Sequence, residues 1–328
     1  MIDSTFQPLA AAVPSYLIEF IHIGLGSFTH LIDPNKRIFI GYLTLNACIV
    51  FLAFRFTRNS HSVITTKRRA WLDGTSWHDL FWLVSNHILR VALVTPLLFS
   101  QVSLAITTNT LLVTYLGQGE YLHLNAPSAL ILLSICVFMF EDLARYILHR
   151  LFHSIPWLWR FHAVHHSATA LNPLSLYRVH SAEMLINTLR SIATIGLVSG
   201  VFMYVVDGPI GLIEIFGVNV FVFIFNSAAA NLRHTPVWLS FGKLEHIFIS
   251  PAQHQIHHSN TPKHFNKNYG SALAIWDKIF NSWLPSKNQT VHGFGLYEDR
   301  ASIPLSKQLL GVNLNSKESQ RMTKDKWN

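Results

Sequence analysis

Three groups of histidines in this chain have the spacing of metal ligands. They read His149-Arg150-Leu151-Phe152-His153, His162-Ala163-Val164-His165-His166 and His254-Gln255-Ile256-His257-His258. On a helix, residues three and four apart share a face. His149 and His153 therefore point the same way, and His254 stands over both His257 and His258. Eight imidazoles can thus be aimed at one small volume. So many nitrogens with almost no competing thiolate suit borderline metals such as iron, zinc or copper. A single histidine on an apolar face is ordinarily a core or surface residue. Two HxxHH groups beside an HxxxH pair, in a chain with only 13% charged residues, argue for a metal site.

The elements that must position these groups are apolar. Hydrophobic residues make up 50% of the 328 and aromatics 12%, which points to an integral membrane protein. The formal charge of +8 does not imply nucleic acid, because the basic residues sit in loops and in the tail, between apolar runs. Cys48 and Cys136 lie inside apolar segments and read as inert packing residues. Met1 to Ala12 lacks the basic start and apolar core of a cleavable signal peptide.

The patterning predicts an all-α integral membrane fold of about four transmembrane helices with a cytoplasmic, histidine-rich helical cap. Residues 1–35 form an N-terminal interfacial segment, 36–286 the membrane-embedded domain with its cap, and 287–328 a basic polar tail, mobile from Ser316. Ile38–Phe54 is the first clean span, and the basic residues from Arg55 to Arg69 after it place that loop in the cytosol. Leu80–Ile106 returns, carrying Asn86, His87 and Arg90, polar groups that suit the wall of a substrate tunnel or a grip on a headgroup. The loop Thr107–Pro127 then lies on the far side. A span beginning at Ala129 becomes polar at Glu141-Asp142 and runs into His149 and His153 as one helix. Pro156 starts a second helix bearing His162 to His166 near the membrane surface. Glu183–Val206 and Ile210–Phe225 form an apolar hairpin about Asp207-Gly208-Pro209. The section from Arg233 to Pro285 folds onto the site as the cap.

In spacing and setting, the three groups resemble the fatty acid hydroxylase or sterol desaturase superfamily of membrane-bound, non-haem di-iron oxygenases. Asp142-x3-Tyr146-x2-His149-Arg150-x2-His153 looks like the family's first motif. Arg178-x-His180-x2-Glu183 is similar to its Arg-x-His-Pro-x-Glu element, with Ser181 in place of the proline. Pro251-x2-His254-x2-His257-His258-Ser259, then Lys267-Asn268-Tyr269-Gly270 and Ile275-Trp276-Asp277, match the terminal block. Where relatives carry a further histidine the chain has Ala229, and His234, one turn on, is the candidate replacement. The resemblance covers Asp142 to Trp283.

That resemblance implies two iron ions held by His149, His153, His162, His165, His166, His234, His254, His257 and His258, with zinc as a substitute in purified protein and O2 as co-substrate. Asp142, Glu183 and Asp277 are the candidate catalytic carboxylates, each orienting a ring through its second nitrogen; ordinary ion pairs with Arg145, Arg178 or Lys278 are the alternative. Arg178, Tyr146, His180 and Asn268 are candidates for the surrounding shell. The substrate is then a membrane lipid or sterol-like molecule entering from the bilayer, to be hydroxylated or desaturated. Electrons come from a separate acidic carrier, a cytochrome b5-like protein or a ferredoxin, docked on the basic face. An ether-lipid monooxygenase and a non-enzymatic membrane metal-binding or transport protein are the competing readings. With no retention signal at the C-terminus, a bacterial inner membrane with the site facing the cytoplasm is the expected location.

Overall fold

The positions of proline and of capping side chains set where the helices of this chain begin and end. A computed structural model describes residues 26, 31–32, 39–56, 76–94, 97–119, 121–207, 232–235, 237–296 and 303–312, and the fold is given for these. The expected N-terminal interfacial segment, the span Ile210–Phe225, the Ala229 stretch and the end from Ser316 lie wholly or almost wholly outside them.

Helix α1 spans Ile40–Phe56 and α2 spans Ser76–Leu89, the latter continued by a π-turn over Arg90–Val94. Helix α3 covers Leu98–Leu116. The single return span expected over Leu80–Ile106 is therefore two helices, and Pro96, which can neither donate to nor continue the first, lies between them in the sequence. The far-side loop expected from Thr107 is also shorter, since α3 runs on to Leu116. Its threonines are no obstacle: the Thr108 and Thr114 hydroxyls donate back to the carbonyls of Leu104 and Thr110, both at 2.7 Å.

Helix α4 is the long rod the polarity gradient predicts, Ala126–Ser154, 29 residues. Asn125 caps it by accepting from the Ser128 N–H at 3.0 Å, with Pro127 in the first turn. Pro156 opens α5, Pro156–His166, after a single extended residue, Ile155. Helix α6, Ser181–Val205, returns alongside α4 and packs on α3. The α3–α6 contact needs small residues: a Cβ on Gly200 would lie 2.5 Å from Thr108 Cβ and 2.6 Å from the Ala105 carbonyl. With Gly196 it forms the small-xxx-small seam by which helices approach closely in lipid. Two short parallel strands, β1 (Leu122–His123) and β2 (Val206–Asp207), tie the ends of α4 and α6.

Helices α4 and α6 are long and apolar enough to cross a membrane by length and composition. Their large apolar side chains also point outward, including Ile131, Phe140, Leu197 and Val201, an arrangement that suits lipid and would be costly in water. The cap follows in short pieces: a 3-10 turn at Leu232–His234, α7 (Pro251–His257) and α8 (Ile275–Ile279).

The tail expected to be polar from residue 287 onward instead returns to the helices. Ile303 and Val312 join a cluster with Trp82, Trp159, Ala163 and Val164. Between them α9, Leu305–Leu309, carries the fully buried Gln308, which accepts from Trp82 Nε1 at 2.9 Å and donates to the Ile303 carbonyl at 2.9 Å. A buried amide needs such partners, and here they stitch α9 to α2. Val312 N–H donates to the Arg160 carbonyl at 2.7 Å, which ties the same segment to α5.

Candidate metal centre

The segments that carry the grouped histidines meet at one end of the α4–α6 pair. His149 and His153 lie in the last turns of α4, and His162, His165 and His166 on α5, turned back across them by Pro156. His234 comes from the 3-10 turn. His254 and His257 lie on α7, with His258 as its C-cap. Helix α7 is only seven residues long and needs help to form. Pro251 opens it, and Ser250 and Gln253 form a reciprocal capping box. Glu245 then accepts from the hydroxyls of Ser240, Ser250 and Ser286 at 2.6–2.8 Å, fixing the cap of the helix from outside.

The side chains converge in two groups. Ring nitrogens of His149, His153, His162, His166 and His257 lie within 4.8 Å of one another, as do those of His165, His234, His254 and His258. The groups adjoin, with the rings of His166 and His258 stacked at 4.4 Å. All nine histidines proposed from the sequence are therefore in one of the two groups, His234 included.

The nitrogens fit a cation. His153 Nε2, His166 Nε2, His257 Nε2 and His258 Nε2 are buried and meet no hydrogen-bond partner among the described residues, an arrangement that is costly unless something else binds them. Elsewhere nitrogens face each other: His149 Nε2 and His162 Nε2 at 3.1 Å, His234 Nε2 and His254 Nε2 at 3.0 Å. Two ligands about 2.1 Å from one ion and at right angles to each other are about 3.0 Å apart. Burial and mutual repulsion hold the rings neutral, as metal ligation requires. His162 and His165 are pushed down to about 3, and His166, His254, His257 and His258 well below their ordinary value. Five nitrogens in one group exceed the four of a closed tetrahedral zinc site.

The second nitrogens are held by the protein. Glu183 Oε1 accepts from His162 Nδ1 at 2.9 Å. Backbone carbonyls serve three others: Tyr269 for His149 at 2.7 Å, Lys267 for His257 at 2.9 Å and Arg178 for His165 at 3.2 Å. Ser175 Oγ lies 2.8 Å from His234 Nδ1. Such partners set the tautomer and aim of each ring.

Of the three carboxylates proposed to orient rings, Glu183 alone reaches one. Asp142 accepts from the Ala272 and Leu273 N–H groups and from Trp276 Nε1, each at 3.0 Å. Asp277 accepts from Tyr269 N–H at 2.8 Å, Gly270 N–H at 2.7 Å and Ser282 Oγ at 2.6 Å. Both secure the loop whose Tyr269 carbonyl meets His149, so they act on the ring through the backbone. Arg178 pairs with Asp79 of α2, at 2.5 Å with both side chains buried, and not with Glu183. Tyr146 shares a 2.8 Å hydrogen bond with Ser282, and Asn268 donates to the Leu284 carbonyl at 3.0 Å. His180 joins neither group: its Nδ1 accepts from Ala182 N–H at the start of α6 and its Nε2 donates to the Leu309 carbonyl.

A cavity of about 580 Å³ opens from His149, His162, His165, His234 and His254 into the space between α2, α4 and α6. Asn86, His87 and Arg90, the proposed tunnel residues, all line it. Asn86 is also held in place, donating to the Val179 carbonyl at 2.7 Å and accepting from Ser181 Oγ at 2.9 Å.

A family model described as fatty acid hydroxylase matches residues 134–282. The chain carries a fatty acid hydroxylase domain. Among curated relatives, an alkylglycerol monooxygenase of Danio rerio is 30% identical over 159 residues, 48% of this chain and 31% of the relative. An ornithine lipid hydroxylase of Rhizobium tropici is 34% identical over 139 residues, 42% of this chain and 38% of the relative. Human cholesterol 25-hydroxylase is 26% identical over 168 residues, 48% and 54%. The chain thus spans about a third of the length of the first two. No solved structure matches it significantly. The fatty acid hydroxylase domain contains every grouped histidine, Glu183, Asp142 and Asp277. Asp79, Asn86, His87, Arg90 and the 303–312 segment lie outside it and complete the surroundings.

Sequence reasoning missed Asp79, Ser175, Glu245 and Gln308. Asp79 left a signal, as a lone acid in the largely apolar run Trp77–Val84. The carbonyl acceptors leave none, since every residue type carries one.

Proposed function

We propose that this chain is a membrane-bound di-iron oxygenase that hydroxylates or desaturates a lipid. The observation that carries the reading is the joining of two histidine groups, with unpartnered buried nitrogens, to a cavity running between membrane-length helices. His149, His153, His162, His166 and His257 would hold one iron, and His165, His234, His254 and His258 the other. Bound there, the pair would supply the redox chemistry by which O2 oxidises an unactivated C–H bond. Glu183 keeps the Nδ1 proton of His162, which would leave its Nε2 to ligate. The carbonyls of Tyr269, Lys267 and Arg178 do the same for His149, His257 and His165. Leu83, Phe152, Met184 and Ile192 give the cavity an apolar wall that would align an acyl chain and keep water out.

The same proposal places the cap in the cytosol, with about four spans and the N-terminus outside, in a bacterial inner membrane. A cytochrome b5-like protein or a ferredoxin would deliver the electrons to the basic face. Ether-lipid oxidation is the second reading, favoured by the similarity to alkylglycerol monooxygenases. Metal transport is disfavoured, because such sites sit near the bilayer midplane and these rings gather at the ends of α4 and α6. The test is lipid profiling of a strain lacking the protein, complemented with the wild type or with His153→Ala. Loss of a hydroxylated, unsaturated or ether-cleaved lipid, restored by the wild type alone, supports the proposal. A lipid profile identical in all strains contradicts it.

A further inference from the structure

A lipid of low polarity needs only an apolar tunnel, but the wall of this cavity carries Arg90, Arg145, Arg190 and Arg233. Guanidinium groups inside an apolar bundle are expensive unless anions accompany them. Glu141 takes part of that role: its carboxylate is 3.0 Å from Arg190 and 3.6 Å from Arg145, so two cations share one acid. The neighbouring Asp142 and Glu183 are engaged elsewhere, with the cap backbone and with His162. Arg190 is largely buried, and its Nε meets no hydrogen-bond partner among the described residues. An unused, buried guanidinium donor on a cavity wall is suited to an oxyanion.

The placement relative to the histidines is also set. Arg145 lies four residues before His149 on α4, and Arg190 seven residues after Glu183 on α6. At about 1.5 Å of rise per residue these cations stand roughly 6–10 Å from the ring level along the bundle. Resting on the oxygenase reading above, we infer that the substrate is an anionic amphiphile, whose carboxylate or phosphate is bound by Arg190 and Arg145 so that a carbon a fixed distance away meets the histidine groups. The headgroup would then set which carbon reacts, as a ruler measured from the anion.

The test is binding, which needs no turnover. Full-length protein in detergent micelles is titrated with oleate, oleoyl lysophosphatidate and mono-oleoylglycerol, with native mass spectrometry as readout. At least one of the two anions is expected to bind about tenfold more tightly than the neutral glyceride, the size of effect one charge-assisted hydrogen bond gives. Whichever anion gains more identifies carboxylate or phosphate. Arg190→Gln should remove the gap while leaving the glyceride's affinity within about twofold, and Arg190→Lys, which keeps the charge but loses the Nε donor, should keep only part of it. Arg145→Gln, at the more exposed of the two cations, should narrow the gap if Arg190→Gln does not fold. Equal wild-type affinities for all three lipids, or an equal loss for all three in Arg190→Gln, would overturn the inference. Oxidation of a neutral lipid with no anion preference would leave the oxygenase standing without the headgroup site; anion preference without any oxidation would do the reverse.

Discussion

Replacing Glu183 tests how the protein aims a metal-facing ring. Its Oε1 accepts from His162 Nδ1 at 2.9 Å, both side chains are at least 92% buried, and Oε2 meets no other partner among the described residues. A hydrogen bond to an ionised acceptor contributes about 1.5–3 kcal/mol and a neutral one about 0.5–1.5. Glu183→Gln, which can still accept, should therefore weaken metal binding by roughly 1–1.5 kcal/mol, or about five- to tenfold. Glu183→Ala leaves the ring N–H buried without an acceptor and should cost more, within the roughly 10–100-fold range of such orienting partners. Chelator competition on purified, iron-loaded protein gives the affinities, and circular dichroism checks the fold. The order wild type, Gln, Ala is the required result. If Glu183→Ala holds iron as tightly as the wild type, the carboxylate has no part in aiming His162.

Other perturbations read other links. Asp79→Ala removes the carboxylate paired with the buried Arg178 guanidinium, whose residue also supplies the carbonyl that meets His165; it should destabilise the protein by about 3–5 kcal/mol in chemical unfolding, and an unchanged midpoint would show that the pair does not anchor this part of the fold. Acidification should unfold the metal-depleted protein. Folding holds His162 and His165 near 3, so between that value and the ordinary 6.5 the unfolded chain binds more protons, and stability is complete above about pH 6.5 and lost as pH falls. At pH 5 each neutral ring costs about 2 kcal/mol, which a thermal-melt series from pH 7.5 to 5 would detect; a flat series contradicts it. Gln308→Ala should loosen α9 from Trp82 and expose residues 303–312 to limited proteolysis, at a cost of about 1–3 kcal/mol. Gly200→Leu should separate α3 from α6 and lower the melting temperature sharply, whereas Leu197→Phe, on the outward face, should be tolerated.

The histidine groups were legible in the sequence because helical spacing alone decides which rings share a face, and Pro156 marks where one helix must yield to the next. The long rod α4 was legible for the same reason: hydropathy and polar spacing agree from Ala129 to His153. What escaped is what depends on distant partners. Asp142 and Asp277 lie beside the histidines in sequence, yet their oxygens are taken by backbone N–H groups of the cap, donors that any residue type would offer. Arg178 looked like a partner for Glu183, but Asp79, 99 residues away in sequence, reaches it first. The polar composition after Lys287 concealed a buried strap, because one Gln308 with matched donors and acceptors can be buried where several exposed lysines cannot. Pro96, which lies between α2 and α3 in the sequence, is a boundary signal that the apolar run on both sides of it conceals.

Two histidine groups that hold two irons leave a direct signature in metal content. Iron content per chain, measured together with X-ray absorption at the iron edge on protein made in iron-supplied cells, addresses it directly. Two irons per chain are expected, in largely nitrogen surroundings, with His153→Ala and His254→Ala each depleting a different one of the pair. A single metal per chain, or iron content unaffected by both substitutions, would contradict it.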